Sequence, residues 1–124
     1  MKSKDIVIAF WSAMATNDFV KASQWLSPDF EGFWPQSREK IIGRDNFSAV
    51  NSNYPVEGKW KFEIHSIVNE NPTVVTDVTV SDKVQSARVI TFHTVENGLI
   101  TKQTEFWPSA MIAQAWRTKW VKLV

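Results

Sequence analysis

The sequence predicts an α+β domain in which helices come first and an antiparallel sheet follows. Before Tyr54, apolar side chains recur every three or four residues, as they do on one face of a helix. From Lys59 onward the period is two, which is typical of half-buried strands. Short turns such as Asn97-Gly98 join these strands and make neighbours antiparallel. The expected architecture is a sheet with helices packed on one side.

Size and composition fit one domain spanning residues 1–124. The 14 basic and 13 acidic side chains give a formal net charge of +1, so no nucleic-acid partner is expected. The chain has no cysteine, which excludes disulfides and thiolate metal sites. No apolar stretch is long enough to predict a membrane span, and the expected location is the cytoplasm.

The first element is predicted as a helix over residues 4–15, with Ser3 as its N-cap. Its apolar side chains lie four residues apart, at Ile6, Phe10 and Met14. A second, shorter helix carries Phe19, Ala22 and Leu26 on one side. Ser27-Pro28-Asp29 should end it, because proline disfavours helical conformation in the residue before it.

The middle of the chain is expected to hold an edge strand or loop over residues 30–35, then a third helix. Gly43-Arg44-Asp45 opens this helix, and Phe47 lies on its apolar side. Phe33-Trp34-Pro35 lies in an aromatic stretch beside Gly32, and such a loop has little reason to be apolar unless it covers a site. Tyr54, near the end of the third helix, is a further candidate for the wall of a pocket.

Four strands are predicted in the second half, followed by a terminal helix. The first buries Trp60, Phe62, Ile64 and Val68, and the second buries Val74, Val78 and Val80. This alternation turns Asp77 toward solvent, although strong curvature could still bring it into a cavity. Branched residues mark the third strand, Val84 to Val95, and Leu99 to Trp107 form the fourth. The terminal helix after Pro108 repeats apolar side chains every four residues, at Ile112, Trp116 and Trp120.

Several motifs, taken in order, resemble the nuclear-transport-factor-2-like superfamily, in particular its SnoaL-like branch. They are Leu26-Ser27-Pro28-Asp29-Phe30, Gly43-Arg44-Asp45-Asn46-Phe47, Asn97-Gly98-Leu99-Ile100, Glu105-Phe106-Trp107-Pro108 and the ending Ala115-Trp116-Arg117-Thr118-Lys119-Trp120-Val121. The resemblance implies a ketosteroid-isomerase-like fold, a cone-shaped curved antiparallel sheet wrapped around N-terminal helices. It also implies a homodimer formed through the convex face of the sheet. The superfamily contains enzymes and non-catalytic binding modules, so the fold leaves the function open.

The steroid-isomerase members of this superfamily use a carboxylate base, a tyrosine and a protonated aspartate. The resemblance places Trp34, Phe10 and Ile90 at these three positions. An indole cannot abstract a proton from carbon, and neither Phe nor Ile can donate a hydrogen bond to an enolate. This chemistry is therefore not expected.

Epoxide-hydrolase-like members use two carboxylates and an arginine to activate water. Glu105 and Asp77 match the carboxylates, and Arg88 could replace the arginine, whose own position holds Val75. The tyrosine and asparagine that hold the water correspond to positions near Phe33 and Pro35. A hydrolase or cyclase using Asp77 and Glu105 stays open as an alternative.

Glu105 is the leading candidate for a catalytic group. It shares a strand face with Gln103 and Trp107, and the resemblance points this face into the cone. A carboxylate packed against an indole loses hydration, which suits an acid/base role. The competing interpretation is a structural ion pair with Arg88 on the neighbouring strand.

The sequence therefore predicts a protein that binds a small apolar or aromatic molecule, with possible cofactor-free acid/base chemistry. The expected pocket lining is Phe10, Trp34, Ile90, Phe92, Gln103 and Trp107 beside Glu105. Neither His65 nor His93 has the companions that a metal site requires, so no metal or cofactor is expected. A further alternative is a non-catalytic module whose surplus of rings serves dimerisation or a protein partner.

Overall fold

The computed structural model describes residues 1–124, which form three α-helices, six strands and one 3-10 helix. The helices are α1 (Ser3–Ala15), α2 (Phe19–Ser23) and α3 (Arg44–Asn53), and the 3-10 helix is Ala115–Trp120. The strands are β1 (Leu26–Trp34), β2 (Glu39–Ile42), β3 (Lys61–Glu70), β4 (Thr73–Ser81), β5 (Ser86–Glu96) and β6 (Leu99–Phe106).

All six strands form one open, curved sheet in the order β2-β1-β6-β5-β4-β3. The predicted α+β class is confirmed, with helices packed on one side of the sheet. Neighbouring strands are antiparallel except β1 and β6, which run parallel. No short turn joins β1 to β6, because β2, α3 and strands β3 to β5 lie between them in the chain. The rule that a tight turn makes neighbouring strands antiparallel therefore does not apply to this pair. The side that carries the helices is called the inner face below, and the other side the outer face.

The core lies between α1 and the inner face. The predicted stripe of α1 is confirmed, since Ile6, Phe10 and Met14 are buried. From the sheet, the alternating valines of β4 are buried as expected, with Val74, Val78 and Val80 at 5 % exposure or less. Burying side chains of this size contributes about 1.5–3 kcal/mol each relative to leaving them in water, which holds α1 against the sheet.

Two local predictions in the first half are wrong. Lys2 rather than Ser3 precedes α1, and no side chain caps this helix end. The second helix ends at Ser23, and Leu26 instead begins β1. Pro28 is tolerated within β1 because the β1–β6 register is irregular between Leu26 and Glu31, where no ladder donor is needed.

Two bulges change which side chains reach the inner face. In β3 the register shifts between Ile64 and Ser66, leaving His65 as the extra residue. A one-residue slip moves every later side chain to the opposite face. Val68 is therefore on the outer face opposite Val75 and is 62 % exposed, so its predicted burial is wrong. The second bulge is in the β5–β6 hairpin, between Thr94 and Val95.

The predicted terminal helix is also wrong. The segment from Trp107 to Gln114 is irregular, and only the short 3-10 helix follows. Trp116 and Trp120 are each 73 % exposed, so no packed face stabilises a longer helix there. No helix of the structure is both long and apolar enough to cross a membrane.

Candidate functional site

The candidate site lies on the inner face at the edge where β1 and β6 end and β5 begins. Glu105 is opposite Thr91 of β5, and Gln103 is opposite His93. Thr91, His93 and Gln103 are buried on the inner face. Glu105 is two residues beyond Gln103 and opposite Thr91, so its side chain points to the same face. The inward orientation expected for this carboxylate is what the structure shows.

Three hydrogen bonds hold the Glu105 carboxylate. Its Oε1 accepts from Trp34 Nε1 at 3.2 Å and from Trp107 Nε1 at 2.6 Å. Its Oε2 accepts from the Thr91 hydroxyl at 3.0 Å. A carboxylate has about four lone-pair sites, so Oε2 keeps one for a further donor. Neither ion pair of the structure includes Glu105, which therefore has no basic side chain as a partner.

The two rings that contact this carboxylate belong to a group of four that we call the aromatic box (Trp34, Tyr54, Trp60 and Trp107). Tyr54 meets Trp60 edge to face at 5.8 Å between ring centroids. It stacks on Trp107 at 6.4 Å with planes 15° apart. Trp60 is fixed from the end of α1, because the Asn17 side chain bonds both its backbone N–H and its carbonyl.

The aromatic box lines a small, partly open cavity and faces a larger open cleft. The cavity has a volume of about 30 Å³, room for one or two water molecules, and is completed by Asn51, Phe62 and Val80. The cleft outside has a volume of about 440 Å³ and is completed by Gln36, Ser37, Glu39 and Ser109. Trp34, Tyr54 and Trp107 line both spaces, so the cavity and the cleft meet at these rings.

Of the six residues expected to line the pocket, the structure brings Trp34 and Trp107 to the cavity. Gln103 lies on the inner face one step deeper along β6. Phe10 is fully buried below, against Phe47 and His93, and belongs to the core.

Ile90 and Phe92 are on the outer face and do not reach the cavity. Phe92 is 43 % exposed and packs edge to face on Phe106 at 6.1 Å. The physical reason is the bulge in the β5–β6 hairpin. Without it Glu105 would lie opposite Ile90; with it, Glu105 lies opposite Thr91 and shares the other face of β5.

Asp77 and Arg88 are also on the outer face, paired with each other. Arg88 donates to both Asp77 oxygens, with its Nη2 at 2.8 Å from Oδ2, and this contact lowers the pKa of Asp77. Neighbouring Val78 and Val89 face the core, which fixes the outward orientation of the pair. The structure therefore brings neither Asp77 nor Arg88 to Glu105, and the alternative ion pair between Glu105 and Arg88 is absent.

A polar network lies deeper on the inner face. The His93 ring is completely buried, with Nε2 at 2.8 Å from the Thr76 hydroxyl and Nδ1 at 3.0 Å from the Gln103 amide. Trp11 Nε1 donates to the same Thr76 hydroxyl at 3.3 Å. Burial lowers the pKa of His93 to about 3, so the ring is neutral near pH 7.

Sequence reasoning missed Thr91 and Trp60 as parts of the site. The sequence does not indicate Thr91, because a register counted without a bulge from the Asn97-Gly98 turn pairs Glu105 with Ile90. Trp60 was expected only as a core residue. Its position before β3, next to the connector after Tyr54, was the available signal for its place in the box.

Residues 7–103 match the family model of the SnoaL-like domain. No curated protein matches the chain. Among solved structures, an NTF-2 like protein of unknown function from Burkholderia xenovorans LB400 is 28 % identical, with a TM-score of 0.80. The match covers 98 % of this chain and 94 % of that one.

Two other solved structures carry names of enzymes. A candidate ketosteroid isomerase from Kribbella flavida has a TM-score of 0.89 at 22 % identity, covering 98 % of this chain and 89 % of that one. An LEH-like epoxide hydrolase from M. tuberculosis has a TM-score of 0.71 at 19 % identity, covering 86 % and 82 %. Similarity at these identities shows the fold alone.

Proposed function

This chain belongs to the SnoaL-like domain family, and on that premise we propose that it binds a small apolar or aromatic molecule at the aromatic box. The observation that carries the proposal is that Glu105 faces inward and is held by the indoles of Trp34 and Trp107, which also line the cavity. Apolar walls with few, oriented polar groups are the usual composition of a small-ligand site.

Binding requires the rings to move. A cavity of about 30 Å³ is far below the ~300 Å³ or more that small-molecule sites occupy. Tyr54 follows the last residue of α3 and Trp107 follows the last residue of β6, so both rings are carried by the ends of elements. Rotation of this stacked pair would enlarge the cavity toward the cleft beside it.

Glu105 is the group that we propose to exchange a proton with the bound molecule. Oε2 accepts only the Thr91 hydroxyl and keeps a free lone pair. Because Glu105 lies next to the lining rings rather than among them, a donor on the ligand reaches this lone pair only after the rings have moved. A partly buried carboxylate held in position by hydrogen bonds is suited to cofactor-free acid/base work. Asp77 and Arg88 have no part in the proposal, because they pair on the outer face, and this argues against the two-carboxylate hydrolase or cyclase.

The test is a thermal-shift screen of the parent and Glu105→Gln against hydrophobic acids, ketones and epoxides. A ligand present at ten times its Kd stabilises the folded chain by about 1.4 kcal/mol, a rise of several degrees in Tm. At least one compound should raise the Tm of the parent and raise that of Glu105→Gln less.

The matched control is Glu31→Gln, which removes a carboxylate paired with Lys40 on the neighbouring strand, away from the aromatic box. It should respond to ligands as the parent does. A screen in which no compound stabilises the parent would contradict binding of a neutral or acidic apolar molecule at the aromatic box and favour a non-catalytic interaction module.

We also propose that the chain forms a homodimer through its outer face. Phe33, Phe92 and Phe106 are each more than a third exposed there, and Val68 is 62 % exposed. Large apolar side chains exposed together on one face mark interaction sites. Phe92→Lys should lower the mass measured by light scattering from dimer to monomer, whereas Val84→Lys, at an exposed loop position, should not. A monomeric parent would overturn the proposal.

A further inference from the structure

We propose that the ligand of the aromatic box is an organic cation with an alkylated ammonium head group, such as a trimethylammonium. This inference rests on the proposed function, because it uses the same site and names the chemical class of its ligand. It is carried by two features of the site, the number of ring faces and the balance of charge.

The ring faces are the first feature. Trp34, Trp60 and Trp107 with Tyr54 surround the cavity. Indole faces attract cations more strongly than other side-chain rings, and each contact contributes about 0.5–2 kcal/mol according to its hydration. The indoles of Trp34 and Trp107 also donate to a carboxylate, which polarises both rings and makes their faces more negative.

The charge balance is the second feature. Glu105 does not itself line the cavity, but it accepts hydrogen bonds from two rings that do, and no basic side chain pairs with it. Neither the cavity nor the cleft outside it is lined by any Lys, Arg or His, and the cleft adds a second carboxylate at Glu39. The site therefore has no positively charged side chain, although the chain as a whole has a formal net charge of +1. A cationic ligand supplies the missing charge, whereas an anionic ligand would be repelled.

The apolar walls select the kind of cation. A primary ammonium is strongly hydrated and needs hydrogen-bond acceptors to replace its water. The lining offers mostly carbon faces, with the Asn51 amide as its polar side chain. An alkylated ammonium spreads its charge over methyl groups and loses less hydration, so it fits apolar walls near a carboxylate.

The experiment compares choline with 3,3-dimethylbutan-1-ol, which has the same shape with carbon in place of the charged nitrogen. Binding to each is measured by NMR titration of the indole N–H resonances, with those of Trp34 and Trp107 assigned from single Trp→Phe variants. Choline should bind at least tenfold more tightly than the alcohol at low salt.

Variants separate charge from shape. Glu105→Gln should weaken choline at least tenfold and the alcohol by less than threefold, while Glu31→Gln should change neither. Trp107→Leu keeps an apolar side chain but removes a ring face, so it should weaken choline at least tenfold and leave the alcohol within threefold. If Glu105→Gln does not fold, the losses of choline and of the alcohol in Trp107→Leu test the inference on their own.

The contrary outcomes distinguish failure of this inference from failure of the proposed function. Equal or tighter binding of the alcohol would overturn the cation inference and leave the proposed apolar-ligand site standing. Equal losses of both ligands in Trp107→Leu would likewise overturn it. If neither compound binds and the screen of acids, ketones and epoxides also gives no ligand, the proposed function fails together with this inference.

Discussion

Replacing His93 should remove much of the acid sensitivity of this fold. The ring is completely buried between Phe10 and Trp11, at 6.1 Å between centroids for each pair. No charged group bonds it, since its partners are the Thr76 hydroxyl and the Gln103 amide. A proton added to this ring would place an uncompensated charge in the core.

The size of the effect follows from the pKa values of the two states. Burial lowers the pKa of His93 from 6.5 to about 3 in the folded chain. Between these values the unfolded chain binds the proton and the folded chain does not. The contribution of neutral His93 to the free energy of unfolding is therefore fully present above pH 6.5 and is lost as the pH falls toward 3. Each pH unit in this window costs about 1.4 kcal/mol, so the loss at pH 4.5 is roughly 2–3 kcal/mol.

The assay is urea unfolding, followed by tryptophan fluorescence, at pH 7.5, 6.0 and 4.5. The free energy of unfolding of the parent should fall by roughly 2–3 kcal/mol more than that of His93→Asn or His93→Gln over this range. The parent and the variants contain the same carboxylates, so the contribution of these groups cancels when the pH dependence of the variants is subtracted from that of the parent. His65→Asn removes the other histidine of the chain, which is exposed, and should keep the slope of the parent. Parallel curves for the parent and both His93 variants would refute the reasoning.

Three further perturbations test other parts of the structure. Gly98→Ala should lower the free energy of unfolding by about 1–2 kcal/mol, because φ is +77° there although the space around it is open; an unchanged urea midpoint would contradict this. Arg88→Ala should leave the ligand response in the thermal-shift screen unchanged, since Arg88 lies on the outer face; a lost response would contradict its placement. Replacing Trp116 and Trp120 together by Ser should change the free energy of unfolding by less than about 0.5 kcal/mol per site, because both rings are exposed; a larger loss, measured by urea unfolding, would reveal packing that the single chain does not show.

Local sequence signals were sufficient for the architecture, because they act through neighbouring residues. The alternation of Val74, Val78 and Val80 reports directly which face of β4 is buried. The Asn97-Gly98 turn adopts the positive φ values that this hairpin needs. In contrast, the fourfold spacing of Ile112, Trp116 and Trp120 did not produce a helix, since periodicity specifies a face but not the surface that must cover it.

The face of the candidate site could not be predicted in the same way. Whether Glu105 shares a face with Ile90 or with Thr91 depends on one extra residue, Thr101, in the β5–β6 hairpin. Nothing in the composition of this strand marks the bulge, and its position is fixed by contacts with the rest of the fold. The prediction that Glu105 faces inward was therefore confirmed while its expected neighbours on β5, Ile90 and Phe92, were on the outer face.

The buried network explains why this register is kept. With the bulge, Gln103 lies opposite His93 and satisfies its Nδ1; without it, Gln103 would turn outward and leave a buried ring nitrogen unpaired. An unsatisfied buried polar group costs about 1–3 kcal/mol, which is large beside the 5–15 kcal/mol of a typical domain. The same shift would move Glu105 off the inner face, because it follows Gln103 by two residues. The hydrogen bond between Gln103 and His93 thus favours the one strand register that keeps the carboxylate beneath the aromatic box.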